Sequence, residues 1–338
     1  MNTGKPITPE RLMQFAWGYA PTLIIEAAVH HGVFDQLNRQ PQTLEQLVAK
    51  LGVANRGLKA ILDALVGLQL LAREGATYRL TPESATYLVA GSSDYRGAFF
   101  RHHTEQLLPQ WMQLKEVVRT GQPVKRTDQD THGEQYFSEF VESLFPGSLP
   151  AATMLGKHLG IPAAQTPVRV LDLGAGSGVW GIALAKQSPQ VRITAVDWPG
   201  VLEVAKKMAM RHGVAERMTV VAGDLFVVDF GYNHQVVTLG HILHSEGPDR
   251  GRQLLKKAAE ALAPGGTLAI QEFLPNDERT GPPLPLMFAV NMLLNTEAGG
   301  TYTFAEITGW LLAAGLEQPR QLPVPGPSPL ILANKPVK

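Results

Sequence analysis

Cysteine is absent from the 338 residues. That excludes disulfide bonds, thiolate metal sites and cysteine nucleophiles together. No apolar run approaches the roughly 20 residues that span a bilayer. The N-terminal stretch MNTGKPITPERLMQF lacks the apolar core and cleavage site of a secretory leader. No membrane partner and a cytoplasmic location are therefore expected. Net charge is lacking too. Lys plus Arg and Asp plus Glu both total 30, so no global field draws nucleic acid or an anionic surface. Internal repeats and low-complexity tracts are also missing. What remains is a globular composition, 44% apolar, in a chain longer than one small core usually holds. Two domains are expected.

The most informative stretch covers residues 168–198. Val168–Leu173 is a short apolar run that suits a buried strand. Gly174, Gly176 and Gly178 follow in GxGxG spacing, then Val179–Lys186 reads as a helix and Val191–Val196 as a strand ending in Asp197. Strand, glycine turn, helix, strand, acid is the first βαβ unit of a nucleotide-binding α/β sheet. Glycines let the backbone turn tightly and let a ligand approach it. An acid closing the second strand can accept hydrogen bonds from two ribose hydroxyls. A dinucleotide fingerprint wants a third glycine where this chain has Val179. A second acid, Asp224 in Gly223-Asp224-Leu225-Phe226, follows the strand Met218–Val221.

Residues 10–95 read as mostly helical, with Thr43 as one N-cap and a hairpin of Leu71–Glu74 and Thr77–Thr81 around Gly75-Ala76. Helix, turn, helix, hairpin is a winged-helix pattern and raises a DNA-binding regulator as a reading from another class. The would-be recognition helix offers only Arg56 and Lys59, beside Asp63, and residues 1–95 carry eight basic and eight acidic side chains. A DNA-reading face needs net positive charge, so a packing module without a nucleic-acid partner is expected. Residues 96–165 read as a helical connector with a long helix over Ala98–Arg119, a loop over Gly121–Gly133, a helix Glu134–Phe145 broken by Pro146-Gly147, and another over Leu149–Leu159. His102-His103 reads as a solvated pair.

The fourth strand, Gln235–Leu239, leads into Gly240-His241-Ile242-Leu243-His244-Ser245-Glu246. The fifth, Thr267–Phe273, carries Glu272 near its end, and Gln318–Val324 with Leu330–Asn334 would finish the sheet as an antiparallel pair. In an open α/β sheet, ligands bind outside the carboxyl ends of the strands. The glycine turn, Asp197, Asp224, His244 and Glu272 all fall there. A His backed by a carboxylate is a general-base arrangement, one ring nitrogen facing the substrate and the other held by Glu272. No carboxylate spacing suggests a magnesium site, and no metal is expected.

Asp172-Leu-Gly-Ala-Gly-Ser-Gly resembles motif I of class I S-adenosylmethionine (SAM) methyltransferases. With AVDWP, AGDLF, ILH at 242–244, ALAPGGTLAI and TFAEITGWLLAAGL, nearly the whole chain resembles the caffeate and acetylserotonin (hydroxyindole) O-methyltransferase family, in its bacterial form. The resemblance implies a Rossmann-like sheet over residues 96–338 with an antiparallel last strand, and a winged-helix-like dimerisation domain over 1–95. It implies SAM as cofactor, with Gly174 and Gly176 at its methionine end, Asp197 at the ribose, and Asp224 with Leu225 at the adenine. It puts His244 on the catalytic base and Glu272 on the acid beside it. It implies a homodimer acting on a hydroxyl of a small aromatic or polyketide-like molecule. N- or C-methylation, or SAM use without methyl transfer, are alternatives on the same scaffold. Three positions depart from the pattern: Ser245 follows the base where an acid is common, Thr301 stands near where plant members carry a second flanking acid, and Gly240 replaces a Lys or Arg.

Overall fold

The computed structural model of the chain describes residues 7–127 and 130–337, without the side chains of residues 130–133 and 139. The chain forms two units, one ending at Pro109 and the other starting at Gln110. Residues 96–109, grouped with the second domain in the sequence reading, thus lie in the first unit. Among the described residues no helix is long and apolar enough to cross a membrane.

The first unit contains α1 (Glu10–Ala16), α2 (Ala20–His30), α3 (Val33–Arg39), β1 (Gln42–Thr43), α4 (Leu44–Leu51), α5 (Asn55–Gly67), β2 (Leu71–Glu74), β3 (Thr77–Leu80), α6 (Pro82–Tyr87) and α7 (Gly97–His102). Thr43 caps α4 by accepting from the Gln46 backbone, and the Gln46 side chain accepts from Thr43 N in return. β3 lies between β1 and β2, antiparallel to both, with Glu74 opposite Thr77 across the turn. Helix α5 buries Leu58, Leu62 and Leu65 at helical spacing. Its Lys59 is ion-paired with Asp63 on the exposed face. No residue of α1 is buried.

The single helix expected over Ala98–Arg119 is broken. A π-helical turn at His103–Leu107 leads into α8 (Leu108–Trp111), and α9 (Leu114–Thr120) follows after a turn. Pro109 has no N–H to bond back along the helix, and its ring crowds the preceding turn, which opens wider. The opposite outcome holds downstream. Helix α10 (Asp130–His158) runs through Pro146 and Pro150 and starts inside the stretch expected to be loop. An internal proline costs ~3 kcal/mol. Phe145, Ala151, Ala152 and Leu155 are buried on this helix, and packing of that extent outweighs the lost backbone bonds.

The second unit continues with β4 (Val168–Leu173), α11 (Val179–Ala185), β5 (Val191–Asp197), α12 (Pro199–Arg211), β6 (Met218–Ala222), β7 (His234–Gly240), α13 (Pro248–Ala261), β8 (Leu262–Gln271), α14 (Pro283–Asn295), α15 (Phe304–Ala313), β9 (Glu317–Leu322) and β10 (Leu330–Asn334). The sheet order is β6-β5-β4-β7-β8-β10-β9. Strands β6, β5, β4, β7 and β8 are parallel; β10 enters between β8 and β9, antiparallel to both. Alternate side chains build two cores. Val170 packs with Ile182 and Leu155 on one face, and Leu171 with Leu254 and Trp310 on the other. Strand β8 starts at Leu262, earlier than the expected Thr267, because Pro264-Gly265-Gly266 is absorbed as an irregularity opposite β7 rather than left as a loop. Chain order reverses on either side of β4, so ligand-binding loops gather at the carboxyl ends of β4, β5, β6 and β7.

Candidate active site

The glycine turn after β4 holds Gly174, Gly176 and Gly178 at φ +59, +55 and +72. These left-handed values suit glycine and strain other residues. Buried Asp172 braces the turn from below. Its Oδ1 accepts from Thr238 Oγ1 at 2.8 Å and its Oδ2 from Gly181 N at 3.0 Å. Burial pushes Asp172 up to about 7. Asp197 faces the turn from the end of β5, accepting from Gly176 N at 2.8 Å and from Trp198 N at 2.7 Å. Burial pushes it up to about 6, against the pull of those two N–H groups.

Asp224 Oδ1 accepts from Phe226 N at 2.8 Å and folds the loop after β6. From α13, Lys257 Nζ donates to the carbonyls of Leu225, at 2.8 Å, and of Val228, and lies 4.2 Å from the centre of the Phe230 ring. Gly174, Gly176, Asp197, Asp224 and Leu225 line one cavity together with Trp180, Trp198, Phe226, Gly240 and His241. Among the described lining residues the one Lys or Arg is Arg250. It is ion-paired with Glu246 at 2.5 Å and lies 3.7 Å from the centre of the Phe226 ring. The Gly176 N–H is taken by Asp197. This wall of carboxylates and aromatic faces fits a cationic nucleoside such as SAM and not a pyrophosphate, which needs free donors.

Gly240 has a local cause. A Cβ there would lie 2.0 Å from Trp180 Nε1. The indole occupies the space into which the Lys or Arg of the resembling family would have to extend.

Beyond Gly240, the chain passes through His241 at φ +60 into a short 3-10 turn, Leu243–Ser245. His244 Nδ1 lies 2.8 Å from Glu272 Oε2, and His244 N donates to Glu272 Oε1 at 3.2 Å. Glu272 is buried just past the end of β8. Burial raises its affinity for a proton, but the facing His244, with His241, outweighs this and holds it below the usual carboxylate range. An ionised carboxylate only accepts, so the ring nitrogen Nδ1 donates. Gly300 N donates to His244 O at 2.8 Å, and a Cβ on Gly299 would lie 2.5 Å from that oxygen. Phe273 and Phe288 flank the pair, their ring centres 4.5 Å apart, with Phe288 edge-on to His244 at 4.9 Å.

His244 and Glu272 meet each other but are not cavity-lining residues; His241, Ser245 and Glu246 around them are. Glu272 binds both ring and backbone of His244. At two of the positions that depart from the family pattern, Ser245 Oγ turns back to donate to Ile242 O at 2.7 Å and Thr301 is buried. His102 is not solvated as expected; it is buried beside Gln106, and burial lowers it to about 4. Sequence reading missed Trp180, Lys257, Gly299 and the two phenylalanines. Their roles depend on tertiary neighbours and carry no spacing signal.

A family profile described as an O-methyltransferase domain matches residues 111–317, and one described as an O-methyltransferase dimerisation domain matches residues 13–90. The chain is 31% identical to the 3-hydroxy-5-methyl-1-naphthoate 3-O-methyltransferase of Streptomyces sahachiroi, over 92% of this chain and 90% of the relative. It is 30% identical to the tetracenomycin polyketide synthesis 8-O-methyl transferase TcmO of Streptomyces glaucescens, over 97% of each. A solved structure assigned to the O-methyltransferases, from Nostoc punctiforme, superposes with a TM-score of 0.88 at 29% identity, covering 98% of this chain and 100% of the other.

Proposed function

The chain belongs to the O-methyltransferase family and is a SAM-dependent enzyme of it; from that premise we propose that it methylates a hydroxyl of a small aromatic, polyketide-type molecule with His244 as general base. The observation that carries this reading is the His244–Glu272 pair, 2.8 Å apart, seated beside the cavity of Asp197 and Asp224. When bound, SAM supplies an electrophilic methyl group on its sulfonium. Gly174 and Gly176 would hold its methionine end, Asp197 would accept from the ribose hydroxyls, and Asp224 with Leu225 would border the adenine. His244 takes the acceptor's hydroxyl proton at Nε2 as the oxygen attacks. Glu272 keeps the proton on Nδ1 beforehand and faces the imidazolium afterwards. General-base help of this kind contributes ~10²–10⁴-fold. Positioning of the two reactants contributes the rest.

The acceptor class draws on the relatives, whose names specify a naphthoate and a polyketide product, and on the flat surfaces of Phe273 and Phe288 beside His244. The dimerisation-domain match supports a homodimer.

A screen of naphthols and polyketide phenols with methyl-labelled SAM tests the reaction. Label is expected on oxygen, and label on nitrogen or carbon alone would overturn O-methylation. His244→Gln should lower turnover by ~10²–10⁴-fold with SAM affinity unchanged. Wild-type turnover in that variant would remove the base assignment.

A further inference from the structure

We infer that His241, His244 and Glu272 form a binding site for one divalent transition-metal ion, zinc above all, whose occupancy switches the general base off. Among the described residues this is the one group of three or more His, Asp or Glu side chains whose ligand atoms all lie within 4.8 Å of one another. Glu272 Oε2 is the shared point, 2.8 Å from His244 Nδ1 and 3.9 Å from His241 Nδ1. Zinc bonds of about 2.0–2.2 Å in a tetrahedral set put neighbouring ligand atoms roughly 3.3 Å apart. The two observed separations straddle that value. The third separation, between the two imidazoles, lies within 4.8 Å, and rotation of both rings would bring the three atoms around one ion.

A second observation points the same way. His241 Nδ1 is buried and has no hydrogen-bond partner. A buried ring nitrogen left unpaired is costly in the absence of a ligand. Two imidazoles and one carboxylate are the donor types that suit zinc, with a fourth position left for water or another ligand. Magnesium, which demands a nearly complete oxygen shell, fits poorly. Residue spacing carries no hint of this site, because His241 is one of several nearby histidines and its approach to Glu272 depends on the fold.

The inhibitory half rests on the general-base reading. Without metal, Glu272 accepts the Nδ1 proton, which leaves a lone pair on Nε2. A metal bound to Nδ1 needs that lone pair at Nδ1. The imidazole stays neutral, so its single proton moves to Nε2. The nitrogen that should take the acceptor's proton then already carries one. None of the three ligands is a residue assigned to SAM, although His241 lines the same cavity, so the loss falls first on turnover.

The test titrates zinc chloride into tag-free full-length protein by calorimetry, beside His241→Asn and Glu272→Gln. Asparagine tolerates positive φ, so the first variant preserves the loop. Wild type is expected to bind one zinc tightly, with affinity falling by roughly 10-fold or more in each variant and magnesium giving no comparable heat. Equal zinc affinity in wild type and His241→Asn overturns the site. In parallel, zinc should abolish wild-type turnover at saturating SAM, and a chelator should restore it. Zinc that binds at this site while turnover persists overturns the switch. The calorimetric arm needs no methyl acceptor. A chain that methylates no hydroxyl therefore fails the O-methylation reading without touching the metal site.

Discussion

Asp172 is a carboxyl with no access to water, fixed by one hydroxyl and one backbone N–H. Because burial lifts it from an ordinary value of 3.8 to about 7, the folded chain holds this proton more tightly than the unfolded chain. The stability this contributes is complete below about pH 4 and is lost as pH rises through about 7. Asp172→Asn keeps the shape, accepting from Gly181 N through its oxygen and donating to Thr238 Oγ1 through its amide. Urea denaturation across pH 4–8 should show wild type losing stability relative to the variant, with the gap levelling off above pH 7. Parallel curves would mean that Asp172 does not titrate in this window. Gly240 sets the second residue-scale constraint. Gly240→Ala drives a methyl group into Trp180 Nε1 and should cost ~1–3 kcal/mol, read as a lower denaturation midpoint. Trp180→Phe removes that nitrogen, so the double variant should recover part of the loss. Two independent, additive losses would show that the clash is not their link.

At the scale of elements, what the sequence disclosed follows from periodicity. Val168–Leu173 and Val191–Val196 are apolar runs bounded by a glycine turn and an acid, so their strand character and the acids at their ends could be placed without tertiary information. Asp197, Asp224 and Glu272 became site candidates because strand ends define the rim. The helices around prolines depart from the periodicity: Pro109 follows a π-turn, whereas Pro146 and Pro150 sit inside one helix. Local sequence weighs the lost hydrogen bond but not the packing that offsets it. Lys257 was equally opaque. It lies on α13 and spans to a loop 29 to 32 residues earlier, a distance no motif encodes. Its ammonium holds the carbonyls of Leu225 and Val228, and so the loop that presents Asp224 and Phe226. Lys257→Met keeps the alkyl stem and removes both bonds. Since each bond to a charged group is worth ~1.5–3 kcal/mol, SAM affinity should fall by roughly 10-fold or more, measured by calorimetry. The catalytic rate at saturating SAM should change little, because His244 and Glu272 stand apart from this loop. A fall in rate with intact affinity would contradict the loop-holding role.

The whole molecule is governed by what the first unit leaves uncovered. Helix α1 has no buried residue, yet Leu12, Met13, Phe15 and Trp17 are 70%, 56%, 66% and 65% exposed. Seven residues of helix are too few to be stable on their own in water, and an apolar surface of this kind marks a contact with another chain. The dimerisation-domain match begins inside this helix, at residue 13. A homodimer that buried α1 would account for both its persistence and its composition. Phe15→Glu places a charge on that surface without disturbing any buried contact of the chain itself. Sedimentation equilibrium should give a two-chain mass for wild type, with dissociation strongly favoured in the variant; burying an unpaired carboxylate costs several kcal/mol. The variant's circular dichroism should lose little beyond the signal of α1, because the core of Phe34, Leu47, Leu62 and Tyr78 lies elsewhere in the unit. A wild-type monomer, or a variant that remains a dimer, would assign those exposed side chains to a different contact. A dimer that dissociates on loss of α1 packing would place the joint at Glu10–Ala16.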